Sequence, residues 1–191
     1  MEQKRRKAEY RSSIRSKLLI RNALVSLMQE KPFEKITVTD IVKRADINRG
    51  TFYAHYKDSR QVLDKIRADV SMEISKAFSL VTPDELLENP EPVLTAISSF
   101  VSKDKDYYRM LIMVAGVDEF LKELRKVAFD YASKAERVRN ASDQTDARCR
   151  IDFIISGAAV LYHDAILGTS PIDVDAVPSF LSGIIRSVVA G

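Results

Sequence analysis

One short segment, residues 37–57, concentrates the side chains that could do chemistry. It carries hydroxyl, amide, guanidinium, phenol, imidazole and ammonium groups, together with a glycine that leaves room for close approach. The residues concerned are Thr37, Thr39, Asn48, Arg49, Gly50, Thr51, Tyr53, His55 and Lys57. Hydrogen-bond donors beside positive charge suit phosphate oxygens and base edges. The segment therefore predicts contact with a nucleic acid, provided that the surrounding elements expose these side chains together.

The first of these elements is a short helix with a visible start. Thr37 is followed three residues later by Asp40, which is the spacing of a capping box, in which a hydroxyl accepts a backbone N–H that the first turn leaves unpaired. A helix is therefore predicted from about Val38. Its buried stripe is predicted to be Ile41, Val42 and Ala45.

A turn and a second helix follow. Asp46 can adopt a left-handed conformation, and Asn48 is placed to cap the helix that comes next. That helix is predicted over residues 49–56. At 3.6 residues per turn, Phe52 and Tyr56 share a face and can pack inward. The residues left on the other faces are the candidate groove-facing residues: Arg49, Gly50, Thr51, Tyr53 and His55.

Each polar residue of the segment has an expected role. Thr37 and Thr39 lie at a helix N-terminus, which suits a phosphate oxygen. Arg49 could reach a guanine edge or a phosphate, Thr51 offers a hydroxyl and a methyl to base edges, and Gly50 permits close approach. The residues expected to contact phosphates beyond this are Tyr53, His55 and Lys57.

Residues 50–56, Gly-Thr-Phe-Tyr-Ala-His-Tyr, resemble the recognition helix of the TetR/AcrR family of bacterial transcriptional regulators, and the resemblance covers roughly residues 12–70. It implies an all-α protein, in which an N-terminal three-helix helix-turn-helix domain is joined by a long connector helix to a larger helical ligand-binding and dimerisation domain. It also implies a homodimer that binds a palindromic operator in double-stranded DNA, as a repressor that a small-molecule effector releases.

Two positions depart from that family's usual pattern. Asp46 stands where the turn usually has glycine, and Ser59 stands where the following helix usually begins with lysine. The second departure puts one phosphate contact in question. Lys57 or Arg60 could replace it from a neighbouring position.

Composition and charge agree with a two-part helical protein. The chain has 191 residues, of which 46% are hydrophobic and 30% are charged. Residues 1–60 have a net charge of +8 and residues 61–191 a net charge of −5, so that a polyanion-binding end is joined to an end of another kind. The expected divisions are a flexible basic arm over residues 1–12, a helix-turn-helix domain over 13–60 and a regulatory and dimerisation domain over 61–191.

Several function classes are disfavoured. The chain has one cysteine, Cys149, and two histidines, His55 and His163, so no metal site or cofactor is expected and the chain is not expected to be an enzyme. His163 beside Asp164 could orient a base, but such a pair on a helix is far more often structural. No signal peptide or membrane span is expected, and a cytoplasmic location fits.

Helices are predicted for most of the remaining chain. After Ser59 a connector helix carries apolar residues on one side for over five turns, and residues 82–92 are turn-rich and acidic. Further helices are predicted over Val93–Ser102, Lys105–Val114, Val117–Asn140, Asp143–Leu167 and Asp173–Ala190.

The last two helices are apolar on more than one stripe, so each needs more than one neighbour. They form either a core within one subunit or a four-helix dimer seam, and the family resemblance favours the seam. The seam would contain Ile154, Ala158, Leu161, Phe180, Ile184 and Val188. A pocket for an apolar effector could be lined by aromatic and methionine residues, although such residues at helical spacing are more often ordinary core. The candidates are Phe78, Phe100, Tyr107, Met110, Met113, Phe120, Phe129 and Tyr162.

A second function class stays open on the sequence. The chain could be a helical interaction protein or co-activator, in which the helix-turn-helix no longer binds DNA and the C-terminal half binds a protein partner. Ser59 and Asp46 are the residues that favour this alternative.

Overall fold

The computed structural model describes the backbone of residues 2–114 and 117–190, and their side chains except at positions 2–5, 7–9, 114, 117–124, 137 and 188–190. Eleven α-helices, with no strand, lie in these ranges. They are α1 (Glu2–Met28), α2 (Val38–Arg44), α3 (Arg49–Tyr53), α4 (Ser59–Phe78), α5 (Pro83–Glu88), α6 (Glu91–Ser102), α7 (Lys105–Val114), α8 (Val117–Ala132), α9 (Glu136–Arg139), α10 (Gln144–Leu167) and α11 (Val177–Ala190). The all-α class predicted from the sequence is confirmed.

The chain forms two compact units, residues 1–69 and residues 70–191, and α4 runs across the division. The sequence placed the boundary at residue 60 instead. The first turns of α4 belong with the first unit by their contacts, and three of their side chains are buried. These are Val62, Leu63 and Ile66.

Helix α1 begins at Glu2, which corrects the secondary structure expected for residues 1–12. The sequence predicted a flexible arm there, with the helix-turn-helix domain beginning only at residue 13. Residues 2–12 contain no glycine or proline and are rich in Glu, Gln, Lys, Arg and Ala, which are good helix formers. Once the later turns of α1 are fixed by burial of Ile20 and Leu24, adding residues at its start costs little, because helix propagation is easier than nucleation.

The second unit differs from the sequence expectation most clearly in two places, and the last helix also begins at Val177 instead of Asp173. Residues 82–92 contain α5, whose N-terminus is a capping box between Thr82 and Glu85 with a proline at the first helical position. The helix predicted over residues 117–140 is instead α8 and the single turn α9. Both the Thr-Pro-x-Glu spacing and the proline were signals available in the sequence.

Helix α10 agrees closely with the prediction. Asp143 caps it by accepting the backbone N–H groups of Thr145 and Asp146 at 2.9 and 3.0 Å, and Gly168 ends it in a left-handed conformation with φ of 78°. In the ranges that the structure describes, every helix is too short or too polar to cross a lipid bilayer.

Candidate nucleic-acid interface and internal cavity

The N-terminus of α2 is held by the predicted capping box. The Thr37 hydroxyl oxygen accepts the Asp40 N–H at 3.2 Å, and Asp40 Oδ2 accepts both the Thr37 N–H and the Thr37 hydroxyl at 2.8 Å. The Lys31 ammonium lies 2.8 Å from the same carboxylate oxygen. The hydrogen bond from Lys31, followed by those from Thr37, holds the pKa of the Asp40 carboxyl well below its usual range. Thr37 is therefore engaged within the chain.

Thr39 and Arg49 are brought together although ten residues separate them. The Arg49 Nη2 donates to Thr39 Oγ1 at 2.7 Å, and both side chains are exposed. This bond uses one of the five guanidinium N–H groups and leaves the Thr39 hydroxyl proton available. The start of α3 is thus joined to the start of α2, with donors from both facing solvent.

The turn between α2 and α3 is built on Asp46, which has φ of 52° as the sequence predicted. Its N–H bonds the Lys43 carbonyl at 3.4 Å, and the N–H of Ile47 bonds the Val42 carbonyl at 3.1 Å. These two bonds form the Schellman motif that commonly ends a helix, usually with glycine at the left-handed position. Aspartate therefore preserves the turn geometry that glycine usually gives.

Asn48 caps α3, as predicted. Its Oδ1 accepts the Thr51 N–H at 2.7 Å and also the Thr51 hydroxyl at 3.1 Å. A Cβ added at Gly50 would lie 3.2 Å from that same oxygen, a tight contact. The absence of a side chain at Gly50 therefore leaves room for the Asn48 cap.

Helix α3 ends at Tyr53, three residues before the predicted end, and Ala54 and His55 form a turn. The predicted inward packing is confirmed, because Phe52 is fully buried and Tyr56 is 8% exposed. Tyr53 is 57% exposed and rests edge-on against the Phe52 ring, with 5.5 Å between ring centroids. His55 is half-buried beside Tyr56.

The N-terminus of α4, where Ser59 stands in place of the lysine usual in the resembling family, has a cap that sequence reasoning overlooked. Asp58 Oδ1 accepts the Gln61 N–H at 2.8 Å, and Gln61 Oε1 accepts the Lys57 N–H at 2.6 Å. The Asp-x-x-Gln spacing was the available signal. The Lys57 side chain is exposed, whereas the Arg60 guanidinium lies over the Phe33 ring, 5.1 Å from its centroid.

The second unit contains a partly open cavity of about 210 Å³, which is lined almost wholly by apolar side chains. Three of the eight residues predicted for a ligand site line it: Phe78, Phe100 and Tyr162. Tyr162 donates to the Leu94 carbonyl at 2.9 Å and lies 3.0 Å from the Ser98 hydroxyl, which in turn donates to the Val174 carbonyl. Burial raises the pKa of Tyr162 to about 12.

The other predicted cavity residues lie elsewhere. Met113 is 65% exposed, and Phe129 lines an open surface cleft. Tyr107 is buried and Met110 half-buried, but neither is part of the cavity lining. The side chain of Phe120 lies outside the described residues. Helical spacing alone could not distinguish the face of α7 that lines the cavity from the faces that do not.

The predicted dimer residues fall into two groups. Ile154 and Ala158 are half-buried and line the cavity, and Leu161 is half-buried. Phe180 and Ile184 of α11 are 51% and 40% exposed, while the side chain of Val188 lies outside the described residues. The most exposed apolar side chains of α10 were not predicted: they are Phe153 at 72% and Val160 at 57%.

Together these features define a two-unit helical protein in which a short, capped helix-turn-helix precedes a helical unit with an internal cavity. Residues 20–66 match the sequence model of the family described as bacterial regulatory proteins, tetR family. Residues 20–66 therefore carry the N-terminal helix-turn-helix domain of this family.

A curated relative, the uncharacterized HTH-type transcriptional regulator YxbF of Bacillus subtilis strain 168, is 22% identical over 109 residues. The match covers 55% of this chain and only 28% of that protein. The chain therefore matches less than a third of the length of this relative.

Solved structures resemble nearly the whole chain. A TetR-like transcriptional regulator from Rhodococcus sp. RHA1 has a TM-score of 0.64 at 18% identity, covering 92% of this chain and 96% of that one. The dihydroxyacetone kinase operon activator DhaS has a TM-score of 0.62 at 13% identity, with the same coverage. The fatty acid degradation regulator FadR from Bacillus halodurans has a TM-score of 0.62 at 14% identity, covering 90% and 94%. At these identities the likeness shows a shared fold.

Proposed function

We propose that this protein is a DNA-binding transcriptional regulator that binds a palindromic operator as a homodimer, in the cytoplasm. The observation that carries the proposal is the exposed surface around α3. There the Arg49 guanidinium is fixed beside Thr39, and Tyr53 projects from a helix whose opposite side is anchored by the buried Phe52. A guanidinium held at the start of α2 is placed to share a phosphate with Thr39, rather than to reach a guanine.

The remaining contacts follow from exposure and from the hydrogen bonds already made. The Thr51 hydroxyl donates to Asn48, so its methyl is the group left for a thymine methyl in the major groove. Gly50 allows the helix close to the groove floor. Tyr53 and His55 are assigned to phosphates, and Lys57 adds a point charge beyond them.

The homodimer is proposed from the exposed apolar side chains of the last two helices. Phe153 and Val160 of α10 and Phe180 and Ile184 of α11 are each at least 40% exposed. Their spacings, seven residues on α10 and four on α11, put the two side chains of each helix on one face. Packing of these faces against a second copy would bury them. Two α3 helices held together would combine their contacts, because one short recognition helix touches few base pairs.

The test is a mobility-shift assay with the DNA upstream of the protein's own gene. Thr51→Ala or Tyr53→Ala should abolish the shift and leave dimerisation intact. Lys57→Ala should weaken binding to all DNA and lower the salt slope by about one, whereas the matched change Lys103→Ala, in the second unit, should change neither. Retained affinity in the Tyr53 variant would contradict the assignment of α3.

Repression, with release by a small apolar effector, is the proposed regulation. The cavity supports it, because a largely apolar space with few polar groups in its wall suits a small apolar ligand. Binding would favour one state of the dimer by its differential affinity. The mobility-shift assay repeated with candidate ligands tests this, and a shift unchanged by any ligand that demonstrably binds would contradict it.

A second candidate is a helical co-activator that acts through a protein partner. The observation favouring it is the fold shared with DhaS, which is described as an operon activator. The two proposals differ in the same assay. A repressor shifts its operator alone, whereas a co-activator would show no shift by itself and would co-purify with a partner regulator in stoichiometric amount.

A further inference from the structure

Arg125 of α8 occupies an unusual position in the second unit, because it lines two spaces at once. It contributes to the wall of the internal cavity, and it also lines an open surface cleft between α8 and α10. A side chain that lines both spaces shows that the cavity and the cleft adjoin at that residue. Arg125 is therefore within reach of a ligand that occupies both of them.

The surface cleft beside Arg125 is cationic. Its charged lining residues are Arg125, Lys126, Arg148 and Asp152, so positive charges outnumber negative ones three to one. The Arg148 guanidinium lies over the Phe129 ring, 5.5 Å from its centroid, which holds one of these charges in place. The cleft therefore attracts anions and repels cations.

The hydrogen bonding of Arg125 is incomplete. Its Nη2 lies 3.5 Å from Asp152 Oδ1, and both side chains are partly exposed. That distance exceeds the 2.7–2.9 Å typical of a charge-assisted hydrogen bond. Among the residues whose side chains are described, no acceptor reaches the buried Nε of Arg125. A guanidinium with an unsatisfied buried N–H and a loosely held carboxylate can accept a better anionic partner.

Beyond Arg125 the cavity is apolar, and its other polar groups already have partners. The Tyr162 hydroxyl bonds the Leu94 carbonyl, and His163 Nδ1 lies 2.8 Å from Asp164 Oδ1. Along α10, Asp152 and Tyr162 are ten residues apart, a rise of about 15 Å. A chain entering beside Arg125 could therefore extend along α10 among apolar side chains, and each methylene buried there would raise affinity about fourfold.

We propose that the cavity binds a single-chain amphiphilic carboxylate, whose hydrocarbon tail occupies the apolar interior and whose carboxylate pairs with Arg125 in place of Asp152. An apolar tail would match the apolar lining of the cavity, and an anionic head would accept the hydrogen bond that the buried Nε of Arg125 can donate. A neutral head would leave that N–H without a charged partner, and an ammonium head would meet three cations. The regulatory meaning of this site rests on the proposed function, but the binding itself does not.

The test is a competition assay on the full-length protein without DNA. The neutral fluorescent probe N-phenyl-1-naphthylamine fills the cavity, and decanoate, decanol and decylamine compete for it at equal chain length. Decanoate should displace the probe at a concentration about 10-fold or more below that of either competitor. Equal displacement by the three, or preference for decanol or decylamine, would overturn the proposal.

Two substitutions with opposite expected effects on decanoate affinity test whether the carboxylate binds Arg125. Arg125→Gln should remove the advantage of decanoate while keeping the affinity for decanol, which shows that the cavity is still folded. Asp152→Asn should strengthen decanoate binding, because it removes the competing carboxylate. Arg109→Gln, an equivalent change at an exposed position of α7 outside both spaces, should change nothing. A decanoate preference that survives Arg125→Gln would place the head elsewhere and overturn the assignment.

The mobility-shift assay with decanoate separates this inference from the proposed function. If decanoate binds selectively but the operator complex persists, effector release is contradicted and the carboxylate site stands. If the operator is bound but decanoate shows no selectivity over decanol, the carboxylate site is overturned and DNA binding stands.

Discussion

The hydrogen bonds that shape α2 and α3 in the first unit join residues mostly three positions apart, as in the caps from Thr37 and Asn48. Those at the cavity wall of the second unit join residues 64 to 76 positions apart, as between Ser98 and Tyr162 or Val174. The first unit therefore places its exposed donors by local bonding, whereas the second unit shapes its cavity by long-range packing. Substitutions at local and at long-range contacts should therefore affect the two units differently.

The largest loss of stability is expected from a buried core side chain of the first unit, where contacts are not local in sequence. Phe52 is fully buried and is the one buried residue of α3, so Phe52→Ala should cost about 3–5 kcal/mol. Hydrogen exchange should then accelerate across residues 20–66 and not in the second unit.

The neighbouring exposed residue is the control. Tyr53→Ala should change stability by only about 0.5 kcal/mol while abolishing operator binding. If both substitutions lower stability alike, Tyr53 serves the fold rather than the ligand, and the surface assigned to DNA would have to be revised.

The second effect concerns the long-range bonds. Tyr162→Phe removes the hydroxyl that donates to the Leu94 carbonyl and contacts Ser98, which should cost about 1–3 kcal/mol. Exchange should accelerate in residues 70–190 alone. Ser98→Ala should cost a similar amount, and the two changes should be strongly non-additive because they share one network. Additive effects would show that the two hydroxyls act separately.

The sequence predicted local features well for the same physical reason. The Thr37 and Asn48 caps and the left-handed Asp46 depend on neighbours within a few residues, and each was confirmed. The Asp58 and Thr82 caps depend on equally local spacings, so they too could have been predicted from the sequence. The cavity was only partly predictable, because whether Phe78 or Met113 faces it depends on the packing of helices far apart in the chain. That Arg125 lines both the cavity and the surface cleft could not be predicted from the sequence, because it depends on how α8 packs against the other helices.

A smaller effect tests the turn between α2 and α3. A left-handed conformation costs most non-glycine residues about 1 kcal/mol or more, so Asp46→Gly should stabilise the first unit by about 0.5–1 kcal/mol. Asp46→Ala should destabilise it, since alanine lacks the short polar side chain that eases this conformation. Urea unfolding, followed by hydrogen exchange in the first unit, measures the change in stability for both variants. Equal stability of the glycine and alanine variants would show that φ at this position costs little.

The smallest effect is the pH dependence of the α2 capping box. Because the folded-state pKa of Asp40 is depressed, chiefly by the Lys31 hydrogen bond, its contribution is fully present above the unfolded value of about 3.9. It is lost as the pH falls from there toward the lower folded value. Stability measured between pH 5 and pH 2 should therefore fall more steeply in the native chain than in Asp40→Asn. Lys31→Gln should raise the folded pKa and lessen the difference, and salt should act in the same direction because the pair is exposed. Parallel curves for the native chain and the asparagine variant would mean that the box stabilises α2 by geometry and not by charge.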